Sequence, residues 1–176
     1  MPIMKNILFI SWSLVLTGYF GYAQTHSAGT KYDRALPQQS FLVDTHLVYM
    51  PAGEWQGTPS IAYDGVNYLI VWEDERYGTT DISGARIASD GTVLDRAGFV
   101  ISKADRHQRN PSVTFGDTEY LVVWEDYRYS SYDIFGARVT TDGTVLDNTG
   151  IAISTAAGYQ LSPCVAYDGT NYLVAW

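Results

Sequence analysis

Short apolar segments separated by turn-forming residues recur along the chain from residue 59 onward. The first, PSIAYDGVNYLIVWED, begins at Pro59 and carries an Asp-Gly pair between two apolar runs. Because glycine accepts a positive φ without steric cost, Asp64-Gly65 predicts a hairpin turn between strand A (60–63) and strand B (68–73). Strand B is a continuous apolar run and not an alternation, which predicts that both faces of its sheet are buried.

Two further strands are predicted after strand B. Strand C covers 81–88, and a second turn follows at Asp90-Gly91. The outer strand D is either 92–94 or 99–102, and the pattern does not choose between them. Four short antiparallel strands in about 50 residues predict an all-β fold.

The whole pattern recurs with a period of 52 residues and without gaps. It is marked by Pro59, Pro111 and Pro163, and by Trp72, Trp124 and Trp176, which are predicted core residues. Two full units are present, with starts near 59 and 111. A third begins near 163 and ends within strand B, so we expect the chain to be the N-terminal part of a longer protein. Cys164, in strand A of this third unit, is predicted to pack as a small apolar residue.

Gapless four-stranded units that are buried on both faces predict β-propeller blades, here in an incomplete propeller. Tandem immunoglobulin-like sandwiches are the main alternative, but they need about 100 residues per domain.

Each full unit carries three motifs in order: YLVVWED-x-R or its close variant, DI-x-GAR and DGTVLD. With these motifs, residues 47–176 resemble secreted bacterial β-propeller repeat proteins, which are often large and surface-associated. The resemblance implies more blades than this chain contains, and it implies no particular ligand. Residues 47–50 align with 99–102 by the same 52-residue shift, so the repeat region is expected to begin at residue 47.

The N-terminus has the layout of a secretory signal peptide. Lys5 precedes an apolar run at 7–16, and Gly21 and Ala23 supply small residues before a cleavage site. We therefore predict a signal peptide at 1–23, a linker at 24–46, and a secreted, periplasmic or cell-surface protein. An uncleaved membrane anchor is the alternative, but the apolar run is short, and no later stretch is long enough to span a bilayer.

The formal net charge of −8, without any run of Lys and Arg, argues against nucleic acid as a partner. The single cysteine excludes an intrachain disulfide. The three histidines lack metal-ligand spacing, and no Gly-x-Ser-x-Gly motif occurs, so no catalytic residue, metal ligand or cofactor is predicted. Acidic loops offer oxygen ligands for calcium, but the EF-hand spacing is absent.

Candidate ligand-binding residues lie in two kinds of loop, which share one face in a propeller. The leading loop before each strand A carries a ring followed by glutamine: Trp55, Gln56, His107, Gln108, Tyr159 and Gln160. The loop between strands B and C adds Glu75, Tyr77, Tyr127 and Tyr129. Planar rings beside amides and charged groups suit a sugar, which needs a stacking platform and hydrogen bonds.

A structural role is the alternative for residues that recur in every unit, since each unit solves the same packing problem. The glutamines would then satisfy loop backbone groups. The recurring charged residues would form an ion-pair and loop-capping network: Glu73, Asp74, Arg76, Asp81 and Arg86, with Glu125, Asp126, Arg128, Asp133 and Arg138.

Three functions fit the sequence. The favoured one is an exported, non-catalytic scaffold for binding or adhesion, with a carbohydrate or a cell-surface protein as partner. The second is a sugar-binding lectin that completes its propeller by oligomerisation. The third is a fragment of a propeller glycoside hydrolase, which is the least favoured because paired catalytic carboxylates should occur in one blade and not in its copies.

Overall fold

A computed structural model describes residues 55–176. The predicted signal peptide, the linker and the first part of the repeat region, up to residue 54, lie outside the described residues. The described part contains ten strands: β1 (Gln56–Tyr63), β2 (Asn67–Asp74), β3 (Asp81–Ala88), β4 (Phe99–Ser102), β5 (Gln108–Gly116), β6 (Glu119–Asp126), β7 (Asp133–Thr140), β8 (Ile151–Ser154), β9 (Cys164–Tyr167) and β10 (Tyr172–Ala175). Within 55–176, no helix has the length and hydrophobicity to cross a membrane.

The strands form three antiparallel sheets that follow the repeat. The first has the order β1-β2-β3-β4, the second has the order β5-β6-β7-β8, and β9 pairs with β10 in the third. Each strand of the second sheet begins 52 positions after its counterpart in the first. The prediction of an all-β fold built from four-stranded antiparallel repeats is therefore confirmed.

The structure also decides which segment is the outer strand. Strand D is β4, which pairs with β3 at residues 99–102. The competing segment, 92–94, contributes a single bridge between Val93 and Ile87. The first strand is longer than predicted: it begins at Gln56, because a bulge between Gly57 and Ser60 lets the chain continue its pairing with β2.

The bulge recurs in the second sheet, and its left-handed backbone conformation recurs in all three repeats. Thr58, Asn110 and Ser162 have φ values of 51°, 50° and 57°, and each directly precedes the repeat proline. Such left-handed conformations are uncommon for residues other than glycine. The backbone N–H of Asn110 donates to Glu73 Oε1 of the first sheet at 2.9 Å, and that of Ser162 donates to Glu125 Oε1 of the second at 2.6 Å. The left-handed residue of the second and of the third repeat therefore directs one backbone donor toward the preceding sheet.

Further hydrogen bonds between successive sheets recur with the same period. Serine hydroxyls accept from backbone N–H groups of the next sheet, tyrosine hydroxyls donate to carbonyl groups of the preceding one, and the glutamine backbone donates to the preceding B–C loop. The equivalent pairs are Ser60–Val113 and Ser112–Val165, Tyr120–Asn67 and Tyr172–Glu119, and Gln108–Thr80 and Gln160–Tyr132. The same packing arrangement thus relates the first sheet to the second and the second to the third.

The main core lies between the first two sheets. Leu69 and Val71 of β2 pack there against side chains of the second sheet that include Val122 and Trp124. Ile70 and Trp72, which alternate with them, form a separate buried cluster on the opposite face. Burial of both faces of strand B, as predicted, is confirmed.

Two core predictions in the third unit are wrong. Trp176 is 55% exposed, whereas Trp124 is fully buried, because Trp176 lies just after β10 at the border of the two-stranded sheet. Cys164 is also exposed, and it does not pack as a core residue. It lies at the start of β9, where it pairs with Ala175, itself exposed.

Asp81 is a buried carboxylate without a hydrogen-bond partner among the described residues. Burial raises its pKa to about 6, and the charge of Asp74 adds to this shift, while the Lys103 charge and the nearby Thr79 side chain, which does not reach hydrogen-bond geometry, oppose it. Asp74 is also buried, but hydrogen bonds and charge from Arg76 more than offset burial and keep the pKa of Asp74 below its usual value. Asp81 is therefore destabilising when it is ionised.

Asp81→Asn is expected to raise the free energy of unfolding at pH 7 by about 1–3 kcal/mol. The pKa of Asp81 is higher in the folded protein than the ordinary value of 3.8, so ionised Asp81 lowers the free energy of unfolding. This loss is absent at low pH, where the carboxyl is protonated in both the folded and the unfolded protein. It grows from about pH 4 to pH 6 and is complete above that. Urea denaturation should therefore show the gain at pH 7 and its loss near pH 4.

Asp133→Asn is the matched control, since Asp133 occupies the same position in the second repeat but accepts a hydrogen bond from Ser131. It is expected to give no comparable gain. An equal gain from Asp81→Asn at both pH values would contradict the assignment.

Candidate functional site

A cleft of about 520 Å³ opens at the rim where the first two sheets meet. It lies where β1 and β5 begin and β2 ends, which brings the leading loops beside the B–C loop of the first repeat. We name it the first cleft. Its lining consists of Trp55, Thr58, Glu73, Glu75, Thr80, Arg109 and Asn110.

Trp55, a predicted site residue, supplies the apolar wall of the first cleft. Its side chain is 52% exposed, while its carbonyl accepts a hydrogen bond from the Glu75 backbone N–H at 3.0 Å. The indole ring lies over Gly57, where any Cβ would overlap it. The other repeats have Arg109 and Leu161 at the position of Gly57. The indole ring can occupy this position only because Gly57 has no side chain.

The two glutamates of the first cleft differ in role. Glu73 is buried, and its carboxylate accepts the backbone N–H of Asn110 in the bulge of the second sheet. Glu75 is only half-buried, and its carboxylate accepts the Thr80 hydroxyl at 3.1 Å. Glu73 therefore holds the two sheets together, whereas Glu75 is the carboxylate that a ligand can reach.

His107, also a predicted site residue, borders the first cleft. Its Nδ1 lies 3.3 Å from the Thr80 hydroxyl and 3.5 Å from the Thr80 backbone nitrogen, which donates to it. Its carbonyl accepts a hydrogen bond from the Tyr127 backbone N–H at 2.9 Å. The histidine thus connects the first cleft to the B–C loop of the second repeat.

Three tyrosines pack together at the next junction along the same rim, and we name them the tyrosine cluster. Tyr127 and Tyr132 have ring centroids 4.7 Å apart, and Tyr132 and Tyr159 have centroids 6.0 Å apart. The Arg106 guanidinium lies 5.6 Å from the centre of the Tyr127 ring. Tyr127 and Tyr159 are predicted site residues, and the structure brings them together through Tyr132, which the sequence analysis did not select.

The three glutamines are placed differently from one another. Gln56 is exposed, whereas Gln108 and Gln160 are buried. The Gln108 amide bonds to the backbone of Ala104 and Asp105. The Gln160 amide donates to carbonyl groups at 156 and 158. These are the hydrogen bonds of the structural alternative, in which the glutamines satisfy backbone groups of the leading loop.

Tyr77 and Tyr129 lie outside the lining of the first cleft, although both are exposed. The Lys103 ammonium lies 4.1 Å from the centre of the Tyr77 ring, and Tyr129 packs beside Phe135 at 6.3 Å between centroids. Their aromatic faces are thus directed to contacts outside the first cleft.

The predicted ion-pair network forms in part. Arg76 pairs with Asp74, and Arg128 pairs with Asp126, with closest side-chain contacts of 2.5 and 2.6 Å. The remaining arginines take partners that were not predicted: Arg86 pairs with Asp95, and Arg138 pairs with Asp147. Arg86 and Arg138 therefore anchor the turn after β3 and β7 and do not join the B–C loops.

Within 55–176, no group of three or more His, Cys, Asp and Glu side chains has an arrangement that could hold a metal ion. The expectation that the protein has no metal ligand or cofactor stays a prediction.

Comparison with protein families, with curated proteins and with solved structures found no match to this chain. The interpretation of the site therefore depends on its own geometry.

Four residues of the first cleft were missed: Thr58, Thr80, Arg109 and Asn110. Arg109 and Asn110 follow the leading-loop residues that the sequence analysis selected, and the bulge of β5 carries them to the rim. Variation between repeats would have indicated them, since Gly57, Arg109 and Leu161 share one repeat position.

Replacement of Glu73 and replacement of Glu75 are expected to have different effects on stability. Glu73→Ala is expected to lower the free energy of unfolding by about 1–3 kcal/mol, because it leaves the half-buried N–H of Asn110 without its acceptor. Glu75→Ala is expected to change it by less than about 0.5 kcal/mol, since Glu75 lies at the rim. Thermal unfolding of both variants measures this difference, and equal losses would contradict the assigned roles.

Proposed function

We propose that this protein is an exported, non-catalytic binding protein, that its repeats are blades of a β-propeller, and that its first cleft holds a saccharide. The observation that carries the proposal is the exposed ring of Trp55 in a polar groove between two sheets. Export is supported by the signal-peptide pattern of residues 1–23.

The chemistry of the first cleft suits a sugar. An indole ring offers an apolar face on which the C–H side of a pyranose stacks. The carboxylate of Glu75 and the guanidinium of Arg109 line the same groove and can bond to sugar hydroxyls. The Asn110 amide also lines it, but its Nδ2 already donates to Glu125 Oε1 at 2.8 Å, which leaves its oxygen as an acceptor. The Glu73–Asn110 and Glu75–Trp55 hydrogen bonds fix these walls before a ligand arrives, which lowers the entropic cost of binding.

Trp55→Ala is expected to lower saccharide affinity by about 10-fold or more, because it removes the stacking platform. Gly57→Ala tests the same site without removing the indole, since the new Cβ displaces the ring. Isothermal titration against a panel of neutral monosaccharides and oligosaccharides measures both effects.

Tyr63→Ala is the matched control, since Tyr63 is an exposed aromatic residue outside the lining of the first cleft. It should bind saccharides like the unaltered protein. Unchanged binding by Trp55→Ala would contradict the assignment of the cleft.

Exposed apolar residues on the first and third sheets support the proposal of a propeller. Leu173 of β10 is 70% exposed, whereas its counterpart Leu121 is 8% exposed and packed in the interior. Ile61 on β1 is likewise exposed, whereas its counterpart Val113 is buried between two sheets. Further copies of the repeat would cover both faces through the contacts that already join successive sheets, as neighbouring blades do.

The lectin that completes its propeller by oligomerisation is a second candidate, favoured by the same exposed faces. If copies of the chain cover one another, sedimentation of the purified protein should show a discrete oligomer, and Leu173→Asp should dissociate it. Leu94→Asp, at an exposed turn position, is the control and should leave the oligomer intact. A monomer at all concentrations would contradict the oligomeric lectin.

A further inference from the structure

The first cleft and the tyrosine cluster are joined by a continuous chain of contacts along one rim. The Thr80 hydroxyl donates to Glu75 of the first cleft, and the His107 ring lies within hydrogen-bond distance of the same hydroxyl. The His107 carbonyl then accepts a hydrogen bond from the backbone N–H of Tyr127, the first residue of the tyrosine cluster.

In the tyrosine cluster, one ring is exposed to solvent and packs on two half-buried rings. Tyr159 is 69% exposed, while Tyr127 and Tyr132 are half-buried beneath the rim. The Tyr132 and Tyr159 rings meet edge to face at 66°, and the Gln160 N–H donates to the Tyr132 carbonyl. Tyr159 thus contributes little to a buried core, although its position is held by neighbouring groups. An exposed but supported ring is what a stacking contact requires.

Trp55, His107 and Tyr159 occupy one position of the repeat, so a ring stands at the leading loop of every described unit. The repeat places these positions at successive junctions of the rim, where Trp55 and Tyr159 are exposed and the His107 ring contacts Thr80. Exposed rings at repeated positions match a ligand that is itself a chain of similar units. The ligand is expected to be neutral, because Glu75 and the net charge of −8 disfavour an anion, while Arg106 and Arg109 disfavour a cation.

We infer that the first cleft and the tyrosine cluster are two subsites of one track that binds a neutral oligosaccharide across successive repeats. The inference rests on the proposed function of the first cleft and extends it from a single sugar to a chain. His107 lies between the subsites and connects them. Tyr159 supplies the second stacking surface.

The test is isothermal titration of the purified protein with glucose and N-acetylglucosamine and with their β-linked oligomers of up to about six units. Affinity is expected to rise by about 10-fold or more from the single sugar to the longest oligomer, because the second subsite binds a tethered unit. Tyr159→Ala should weaken the longest oligomer by about 3- to 10-fold and leave the single sugar unchanged. Trp55→Ala should weaken both.

Tyr129→Ala is the matched control, since Tyr129 is equally exposed but packs beside Phe135 outside the track. It should not alter binding of any probe. Two outcomes would overturn the track but not the saccharide site in the first cleft, provided that single-sugar binding requires Trp55. In the first, affinity does not rise with the length of the oligomer. In the second, affinity rises with length equally in Tyr159→Ala.

No binding of any of these saccharides would overturn both the track and the saccharide function. A proline-rich peptide is the competing ligand for an aromatic groove, and it serves as the alternative probe. Binding of this peptide that depends on Tyr159, in the absence of saccharide binding, would assign the rim to protein recognition and overturn the inference.

Discussion

In each of the first two sheets, a buried glutamate at the end of the second strand accepts a hydrogen bond from the left-handed residue that precedes the proline of the next repeat. Glu73 accepts the N–H of Asn110, and Glu125 accepts that of Ser162. A buried carboxylate is costly unless hydrogen bonds satisfy it, so each glutamate fixes the register of the sheet that follows. The left-handed residue before each repeat proline is needed to aim that N–H across the junction. Relaxing this conformation would therefore remove a backbone hydrogen bond from each buried glutamate, and Glu125 would keep the one that the Asn110 amide donates at 2.8 Å.

This junction also determines where variable side chains stand. The bulge carries Arg109 and Asn110 to the rim, beside the B–C loop of the preceding repeat. The hydrogen bonds between sheets are the same at each junction, but the side chains at the rim differ. Glu75 and Thr80 in the first repeat correspond to Tyr127 and Tyr132 in the second. The recurring residues thus build the stack, while the residues that differ between repeats provide surfaces of different chemistry along one edge.

The strands could be predicted from the sequence because their apolar runs and Asp-Gly turns are local signals that the repeat presents more than once. The choice of 99–102 as the outer strand could not, because it depends on pairing with β3, which no local pattern encodes. Gln108 and Gln160 looked like ligand-binding residues because they follow a ring in each leading loop, but their hydrogen bonds close that loop. Trp176 and Cys164 were misjudged because burial depends on which sheets cover a face, and this cannot be inferred from position within the repeat.

Amide hydrogen exchange at Asn110 and Ser162 tests most directly whether the glutamate–bulge contact joins the sheets. Slow exchange is expected at both positions in the unaltered protein, because both N–H groups are bonded to buried carboxylates. Glu73→Ala should speed exchange at Asn110 far more than at Ser162, whose acceptor, Glu125, is retained. Fast exchange at Asn110 in the unaltered protein, or equal changes at the two positions, would contradict the account.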